Sequence, residues 1–393
     1  MTGSRWTQPE HYAPQYFLAA LGNGGLAVSF FIYLMFLVPH PDTPIPTFET
    51  LLAAYAQEKP FLQALIVVSV TGMLFFGVRH LLLVGRNLLA YRRFRRHERH
   101  AEMVAGNGAV GLMAIPLTLA MTVNVLFALA GSLVPGLWAH VELMFPAAVA
   151  AFAAIGLLSL RLFIGYFANH LSGKGFDCDR NNHLSQMLVA FAFAMIGVGF
   201  AAPAAMSHSK LVAALAALGA IFFLSAALLL GLVKMVLGFR GMLANGVEKS
   251  ASMSLLIIIP ILTLVGIAVL RLMHGMNHHF GATPAAPGSL FVLTSIIFSV
   301  QVFFGVMGAA VMKRMGYMET YVHGEEGHPG SYALICPGVA LFVFGMFFVS
   351  VGLVKTGVLP AFSVAHFVVL GALALVQFWT IRTLFRLDRK MLR

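Results

Sequence analysis

Ten apolar stretches, each long enough to cross a bilayer, dominate the sequence. Lipid offers no water to the backbone, so each stretch must close its own hydrogen bonds as a helix. The 393 residues are 60% hydrophobic and only 10% charged, far from the balance of a soluble domain. We expect an all-α polytopic membrane protein. The predicted spans are 15–38, 61–86, 108–132, 141–166, 184–206, 211–237, 251–273, 287–312, 330–354 and 363–385.

Basic residues set the expected orientation of these spans. The loop after the second span, GRNLLAYRRFRRHERH, is rich in arginine, whereas the loop before it holds one lysine. Loops rich in Lys and Arg stay on the cytoplasmic side. The signal recurs near the end of every even span, through Arg161 and Lys174, Lys234 and Arg240, Lys313 and Arg314, and the closing RTLFRLDRKMLR.

This charge pattern predicts five consecutive hairpins with both termini in the cytoplasm. We expect a single transmembrane domain over 1–393, with a cytoplasmic N-terminal segment over 1–14 and a cytoplasmic tail over 386–393. The N-terminus lacks the layout of a cleaved leader, so it is expected to be retained. The expected location is the bacterial inner membrane, and the lipid bilayer is the expected surrounding.

Prolines recur inside the outward-running spans. Pro116, Pro260 and Pro337 each lie about two turns from the cytoplasmic start of their span, and Gly22 lies at that depth in the first. Proline removes a backbone donor, and the freed carbonyl must then face protein or a wet cavity. The fifth span departs from the pattern, because Phe191 and Phe193 occupy this depth. The recurrence suggests a repeated hairpin built around a central axis.

The odd and even spans also differ in composition. Odd spans carry Gly, Pro and small hydroxyl or amide residues, whereas even spans are more uniformly apolar. This predicts odd helices inside and even helices toward lipid, lining either a pathway or a tight bundle. The odd spans are expected to hold no internal Lys or Arg. Near the inner ends of even spans, basic side chains either concentrate anions or snorkel to headgroups; these are Arg79, Arg161, Lys234 and Arg382.

The segment YFLAALGNGGLAVSFFIY, the five hairpins and the prolines in alternate helices together resemble the tellurite-resistance/dicarboxylate transporter family, which includes bacterial TehA and plant slow anion channels. The resemblance implies a quasi-fivefold protomer in which odd helices line a central pore and even helices surround it. It also implies a homotrimer with one pore in each subunit.

The resemblance further implies a pore occluded by a phenylalanine just before the proline of the ninth helix. The stretch GEEGHPGSYALICPG has no phenylalanine there, and Tyr332 is its aromatic candidate. Either Tyr332, or Phe191 and Phe193 of the fifth span, would replace the family's gate, or the central passage has another use.

The expected function is passage of a small anion through the central pore, stabilised by hydroxyls, amides and backbone N–H groups. The predicted lining residues are Gly22, Asn23, Pro116, Thr118, Thr122, Pro260, Thr263, Ser331, Tyr332 and Pro337.

Two other functions stay open. One is proton-coupled export of an organic or sulfur-containing anion, which requires a titratable group in the pathway. The other is a membrane redox protein that binds haem b through His80, His140 or His366. No cofactor or metal is otherwise expected. The two cysteines, Cys178 and Cys336, imply no disulfide.

Common catalytic signatures are absent from the sequence. It contains no GxxxxGK[ST], HExxH or GxSxG in a suitable setting. We therefore expect neither an enzyme nor a nucleic-acid partner.

Overall fold

The structure is a computed structural model that describes residues 5–172 and 182–392. Lys174 and Cys178 lie outside the described residues. Within them every regular element is helical, and ten helical segments, counted with the 3₁₀ and π turns that continue the α-helices, are long and apolar enough to span a membrane. The expected all-α polytopic membrane protein is therefore confirmed. The α-helices are α1 (Phe17–Leu37), α2 (Phe48–Tyr55), α3 (Pro60–Phe94), α4 (Glu98–Ala105), α5 (Ala114–Leu133), α6 (Val141–Leu171), α7 (Leu188–Met206), α8 (Lys210–Asn245), α9 (Ile258–Phe280), α10 (Pro287–Arg314), α11 (Ile335–Phe347) and α12 (Val364–Met391).

The ten long helices pair as five antiparallel hairpins in chain order. The connections range from three residues between α7 and α8 to a longer segment between α1 and α3 that contains α2. The short α4 lies between the first and second hairpins. We call the end of the bundle where the hairpins turn the hairpin end, and the opposite end, where both chain termini lie, the terminal end.

Five helices form a closed inner ring. Helix α1 contacts α5, α5 contacts α7, α7 contacts α9, α9 contacts α11, and α11 returns to α1. Each remaining long helix packs outside the ring, against its own hairpin partner and against the next inner helix; these outer helices are α3, α6, α8, α10 and α12. The hairpins thus repeat one packing arrangement five times around a central axis.

Burial separates the two sets of helices. In the most apolar window of each span, 61–89% of the residues are buried for inner helices and 17–39% for outer helices. The exposed face of the outer helices is rich in large aliphatic and aromatic side chains, as a lipid-facing surface requires. Polar and small residues of the odd spans are instead buried between helices. The predicted division into inside and lipid-facing helices is confirmed.

The three prolines mark a junction between two kinds of helix. Pro116, Pro260 and Pro337 are each the third residue of their α-helix, and a 3₁₀ segment directly precedes that helix. Proline has no N–H to donate. At a junction where 3₁₀ hydrogen bonding changes to α-helical hydrogen bonding, the absent donor disrupts fewer backbone hydrogen bonds than it would in the interior of an α-helix. Helices α1 and α7 also begin after 3₁₀ turns. The five 3₁₀ segments are Pro14–Tyr16, Asn107–Met113, Leu184–Met187, Lys249–Ile257 and Pro329–Leu334.

Both chain ends fold onto the terminal end of the bundle. In the N-terminal segment Trp6 and Tyr12 are buried, and the Tyr12 hydroxyl donates to the Asn87 side chain of α3 across 3.3 Å. At the other end α12 continues to Met391, with Leu387 fully buried. The residues predicted as a cytoplasmic tail over 386–393 continue the last helix as far as Met391, because Leu387 and Met391 are buried against the bundle.

Candidate functional site

Two cavities lie on the axis of the ring, one above the other. The hairpin-end cavity has a volume of about 160 Å³ and is lined by all five inner helices together with part of α6. The terminal-end cavity has a volume of about 330 Å³ and is lined by residues of all five 3₁₀ segments and the first turns that follow them. A path along the axis would pass through both cavities.

The two cavities share three wall residues. Phe191 of α7, Pro260 of α9 and Cys336 of α11 line both. All three lie within the first four residues of their α-helices, directly after the 3₁₀ junctions. Phe191 is the largest of them and is only 5% exposed. Its ring therefore lies at the partition between the cavities.

The other two gate candidates lie away from this partition. Phe193 packs edge-on against Phe163 of α6 and Phe223 of α8, on the outer side of α7. Tyr332 is fully buried, and its hydroxyl donates to Asp388 Oδ1 of α12 across 3.0 Å. Neither lines either cavity. Of the three aromatic candidates, the structure places Phe191 on the axis.

Four of the predicted lining residues border a cavity. Gly22 and Thr263 line the hairpin-end cavity, Pro337 lines the terminal-end cavity, and Pro260 lines both. The Thr263 hydroxyl donates to the Ala340 carbonyl across 3.0 Å and lies 2.7 Å from the Gln301 amide nitrogen, so it also ties α9 to α11 and α10. These four residues come from three different inner helices.

The remaining predicted lining residues hold helices together and border neither cavity. Thr118 donates to the Phe17 carbonyl across 3.1 Å, and Ser331 bonds the Tyr317 hydroxyl at 2.9 Å. Asn23 bonds Arg79, and Thr122 bonds His80. A polar side chain in an apolar bundle needs a partner, and here a neighbouring helix supplies it. Pro116 and Tyr332 are buried as well and complete this group.

Arg271 is the functional candidate that sequence reasoning missed. It lies in α9, lines the hairpin-end cavity and is the only charged residue among the described residues of that wall. Its Nη1 donates to the Val198 carbonyl of α7 across 3.1 Å, and in the described part of the chain no carboxylate pairs with it. The expectation of no internal Lys or Arg in the odd spans was wrong. Residue 271 falls near the end of the predicted span 251–273, whereas α9 runs on to Phe280.

The terminal-end cavity carries titratable side chains in its wall. Its wall includes His183, Glu248 and His328, and the His183 Nδ1 accepts a hydrogen bond from the Ser185 N–H at 3.2 Å. Burial lowers the pKa of both histidines below the usual range, and the nearby Glu248 carboxylate partly offsets that shift. The starts of the five inner helices, each with its 3₁₀ segment, also meet here, so the positive ends of their helix dipoles converge on this cavity.

A partly buried charge pair closes the ring between the first and last hairpins. Arg79 of α3 forms a salt bridge with Asp388 of α12, and its Nε donates to Asn23 Oδ1 across 3.0 Å. The guanidinium also lies over the rings of Phe75 and Phe385. Asp388 thus neutralises the charge of Arg79 within the bundle. Arg271 differs, because it pairs with no carboxylate among the described residues.

The three candidate haem ligands do not come together. His80 is fully buried, with Nδ1 bonded to the Ala20 carbonyl at 2.8 Å and Nε2 lying 2.9 Å from Thr122 Oγ1. His140 and His366 lie at the hairpin end, whereas His80 is twenty residues, or about 30 Å, along α3 from that end. Two axial ligands must reach one iron, so His80 cannot share a haem with either of the others. His140 directly precedes α6, which packs on α5 and α7, whereas His366 lies in α12, which packs on α11 and α1.

Other histidine and carboxylate side chains do not form a metal centre either. Within the described ranges, no group of three His, Cys, Asp or Glu residues is placed to hold a metal ion. His366 uses Nδ1 to accept the Phe362 N–H across 3.0 Å, which fixes the turn that leads into α12.

Comparison with known proteins leaves the family open. No protein-family model, no curated protein and no solved structure matches this chain.

Proposed function

We propose that the protein carries a small anion across the membrane along the axis of the inner ring. The observation that supports this most directly is Arg271, a cation in the wall of an axial cavity that pairs with no carboxylate among the described residues. A charged group in a membrane interior is costly, so an arginine kept without a counter-ion favours a mobile anion as its partner.

The other axial features favour the same sign of charge. The terminal-end cavity gathers the starts of five inner helices, whose N–H groups and dipoles stabilise negative charge. Among the described wall residues, the hairpin-end cavity contains no Asp or Glu. In the hairpin-end cavity a cation would meet Arg271 with no carboxylate among the described wall residues, so we expect anion selectivity there.

Phe191 is the proposed gate between the two cavities. Its ring lies where the two cavities meet, at a level also bordered by Pro260 and Cys336. An ion passing along the axis must displace this side chain. Rotation of one phenylalanine about χ1 is a local change that does not require the ring of helices to move.

Flux through reconstituted protein tests this proposal. In liposomes loaded with chloride or nitrate, Phe191→Ala should raise anion flux above that of the unchanged protein. Phe193→Ala is the matched control, because it removes the same ring from the outer side of the same helix. Equal flux through both variants, or flux of potassium instead of the anion, would contradict the proposal.

Proton-coupled export is the second candidate function, and the terminal-end cavity favours it. His183, His328 and Glu248 provide the titratable groups that such a mechanism requires. An imposed pH gradient that drives an anion uphill in liposomes would establish coupling. Flux that follows only the anion gradient would establish a channel.

We also propose the wider setting that the resemblance to the tellurite-resistance/dicarboxylate transporter family implies. The five hairpins around an axis and the recurrent prolines support it. In this setting the protein is a homotrimer of the bacterial inner membrane with both termini in the cytoplasm. Single cysteines introduced at Thr7 and Arg389 of a Cys178→Ser/Cys336→Ser background should be protected from a membrane-impermeant thiol reagent added outside intact cells.

A further inference from the structure

The hairpin-end cavity combines one cation with an apolar wall, and we propose that it binds an amphipathic monoanion: a monocarboxylate with a short aliphatic or single-ring body. This inference rests on the proposed function and names its substrate class. The carboxylate would bind Arg271, and the apolar body would occupy the space between α1, α5, α7 and α11.

The wall of this cavity is chemically unlike a site for a bare inorganic ion. Most of its side chains are aliphatic or aromatic, contributed for example by Phe31, Phe127, Phe152 and Phe347. Asn124 and Thr263 are its main uncharged polar residues, and the Thr263 hydroxyl is already bonded to a carbonyl. A hydrated ion gains little from such a wall, whereas apolar carbon gains from leaving water.

The volume sets the size of the apolar body. The cavity measures about 160 Å³, close to the roughly 150 Å³ of an apolar engineered cavity that binds benzene. One aromatic ring or a four- to six-carbon chain therefore matches the space. A larger body would have to displace the packed side chains of the wall, which are held at the density of a protein interior.

The single positive charge of Arg271 determines how many negative charges the ligand can carry. Only one Nη1 hydrogen bond of Arg271 is used, to the Val198 carbonyl, and the other guanidinium N–H groups bond no described residue. A guanidinium presents its donors as a fork that matches one carboxylate. A dicarboxylate would bring a second charge into a wall with no second cation, and that charge would be desolvated without compensation.

A binding experiment on the full chain in nanodiscs tests this. The probe is 4-fluorobenzoate, followed by ¹⁹F line broadening, with empty nanodiscs subtracted to remove partition into lipid. Butyrate and benzoate should compete with the probe. Chloride, which has no apolar body, and succinate, whose second charge would be desolvated, should each compete at least about tenfold less well. Arg271→Gln should weaken probe binding by a similar factor, and Arg271→Lys should restore part of it.

Lys355→Gln is the matched control for this experiment. Lys355 is exposed near the hairpin end and does not line the cavity, so its loss removes one positive charge from the protein but not from the site. Equal loss of binding in Lys355→Gln and Arg271→Gln would overturn the assignment, because it would indicate general attraction to a basic surface. A melting temperature close to that of the unchanged protein shows that each variant is folded.

The outcomes separate this inference from the proposed function. If chloride flux depends on Phe191 but succinate and chloride compete as well as benzoate, the monocarboxylate site is overturned and anion passage stands. If benzoate binds through Arg271 but no anion crosses the membrane, the site stands and passage fails. Binding of benzoate unaffected by Arg271→Gln overturns the site whatever the flux.

Discussion

Arg271 of α9 donates a hydrogen bond to the carbonyl oxygen of Val198 on α7, at 3.1 Å. The bond joins two neighbouring inner helices and holds the guanidinium in the wall of the hairpin-end cavity. Arg79, between the first and last hairpins, is neutralised by Asp388, whereas in the described part of the chain Arg271 has no carboxylate. The two arginines therefore lie in different surroundings. Arg79 joins helices of the bundle, and Arg271 borders the axial cavity.

Removing the charge of Arg271 should reduce anion passage. Arg271→Gln keeps a hydrogen-bond donor for Val198 but removes the cation, and a charge-assisted interaction is worth about 1.5–3 kcal/mol. We expect nitrate flux to fall about tenfold or more in liposomes, with Arg271→Lys intermediate. Unchanged flux and unchanged anion-to-cation selectivity in Arg271→Gln would show that the cation does not act on the permeating ion.

Breaking the pair between Arg79 and Asp388 should destabilise the closed ring. In the pair, the arginine and aspartate side chains are 30% and 11% exposed. Asp388→Leu leaves Arg79 without its counter-ion and Tyr332 without its acceptor. Because water still reaches part of the arginine, we expect this to cost about 1–3 kcal/mol in the free energy of unfolding. Unfolding by SDS titration measures this cost.

The matched double variant separates the charge pair from its packing. Arg79→Met/Asp388→Leu removes both charges and keeps an unbranched stem against Phe75 and Phe385. We expect it to regain much of the lost stability, since no uncompensated charge remains. If the loss of unfolding free energy in the double variant equalled the sum of the losses in the two single variants, the ion pair would contribute nothing as a pair.

A methyl group at Gly275 should disturb the contact between α7 and α9. The added Cβ would overlap the backbone carbonyl of Ala204, which cannot rotate away as a side chain can. We expect Gly275→Ala to lower stability by about 1–3 kcal/mol, the usual cost of overpacking. Gly371→Ala is the control, because nothing lies within 4 Å of its added Cβ. Equal stability of the two variants would contradict the close approach.

Acid should destabilise the protein through the terminal-end cavity. Burial lowers the pKa of His183 and His328, with Glu248 partly opposing. The unfolded chain therefore binds protons at higher pH than the folded chain, so stability is full above about pH 6.5 and falls as the pH drops below it. The melting temperature from pH 8 to pH 5 measures this, and His183→Gln/His328→Gln should show a smaller decline. If the melting temperature of the double variant fell with pH as steeply as that of the unchanged protein, the assignment of the acid sensitivity to His183 and His328 would be contradicted.

Much of the architecture could be predicted from the sequence. A membrane span must be a helix of about twenty apolar residues, so hydropathy alone locates all ten, and each predicted span overlaps one long helix of the structure. The location of small and polar residues in odd spans likewise predicted the inner ring, because such side chains need protein partners. The depth of Pro116, Pro260 and Pro337 indicated a shared backbone feature, which the structure shows to be the junction between 3₁₀ and α-helix.

The candidate site itself depended on tertiary structure. Phe191 and Phe193 are two residues apart and so point about 200° apart around α7, and only the packing of α7 against α6, α8 and α9 decides which of them faces the axis. Thr118 and Thr122 are residues of the type expected in a pore wall, yet their hydroxyl groups bond neighbouring helices. Hydropathy assigned Arg271 to the edge of a span, whereas α9 extends past it and turns it toward a cavity. The sequence determines which segments enter the membrane, because hydrophobicity summed over about twenty residues decides it. The direction in which any one side chain points depends instead on how neighbouring helices rotate and pack.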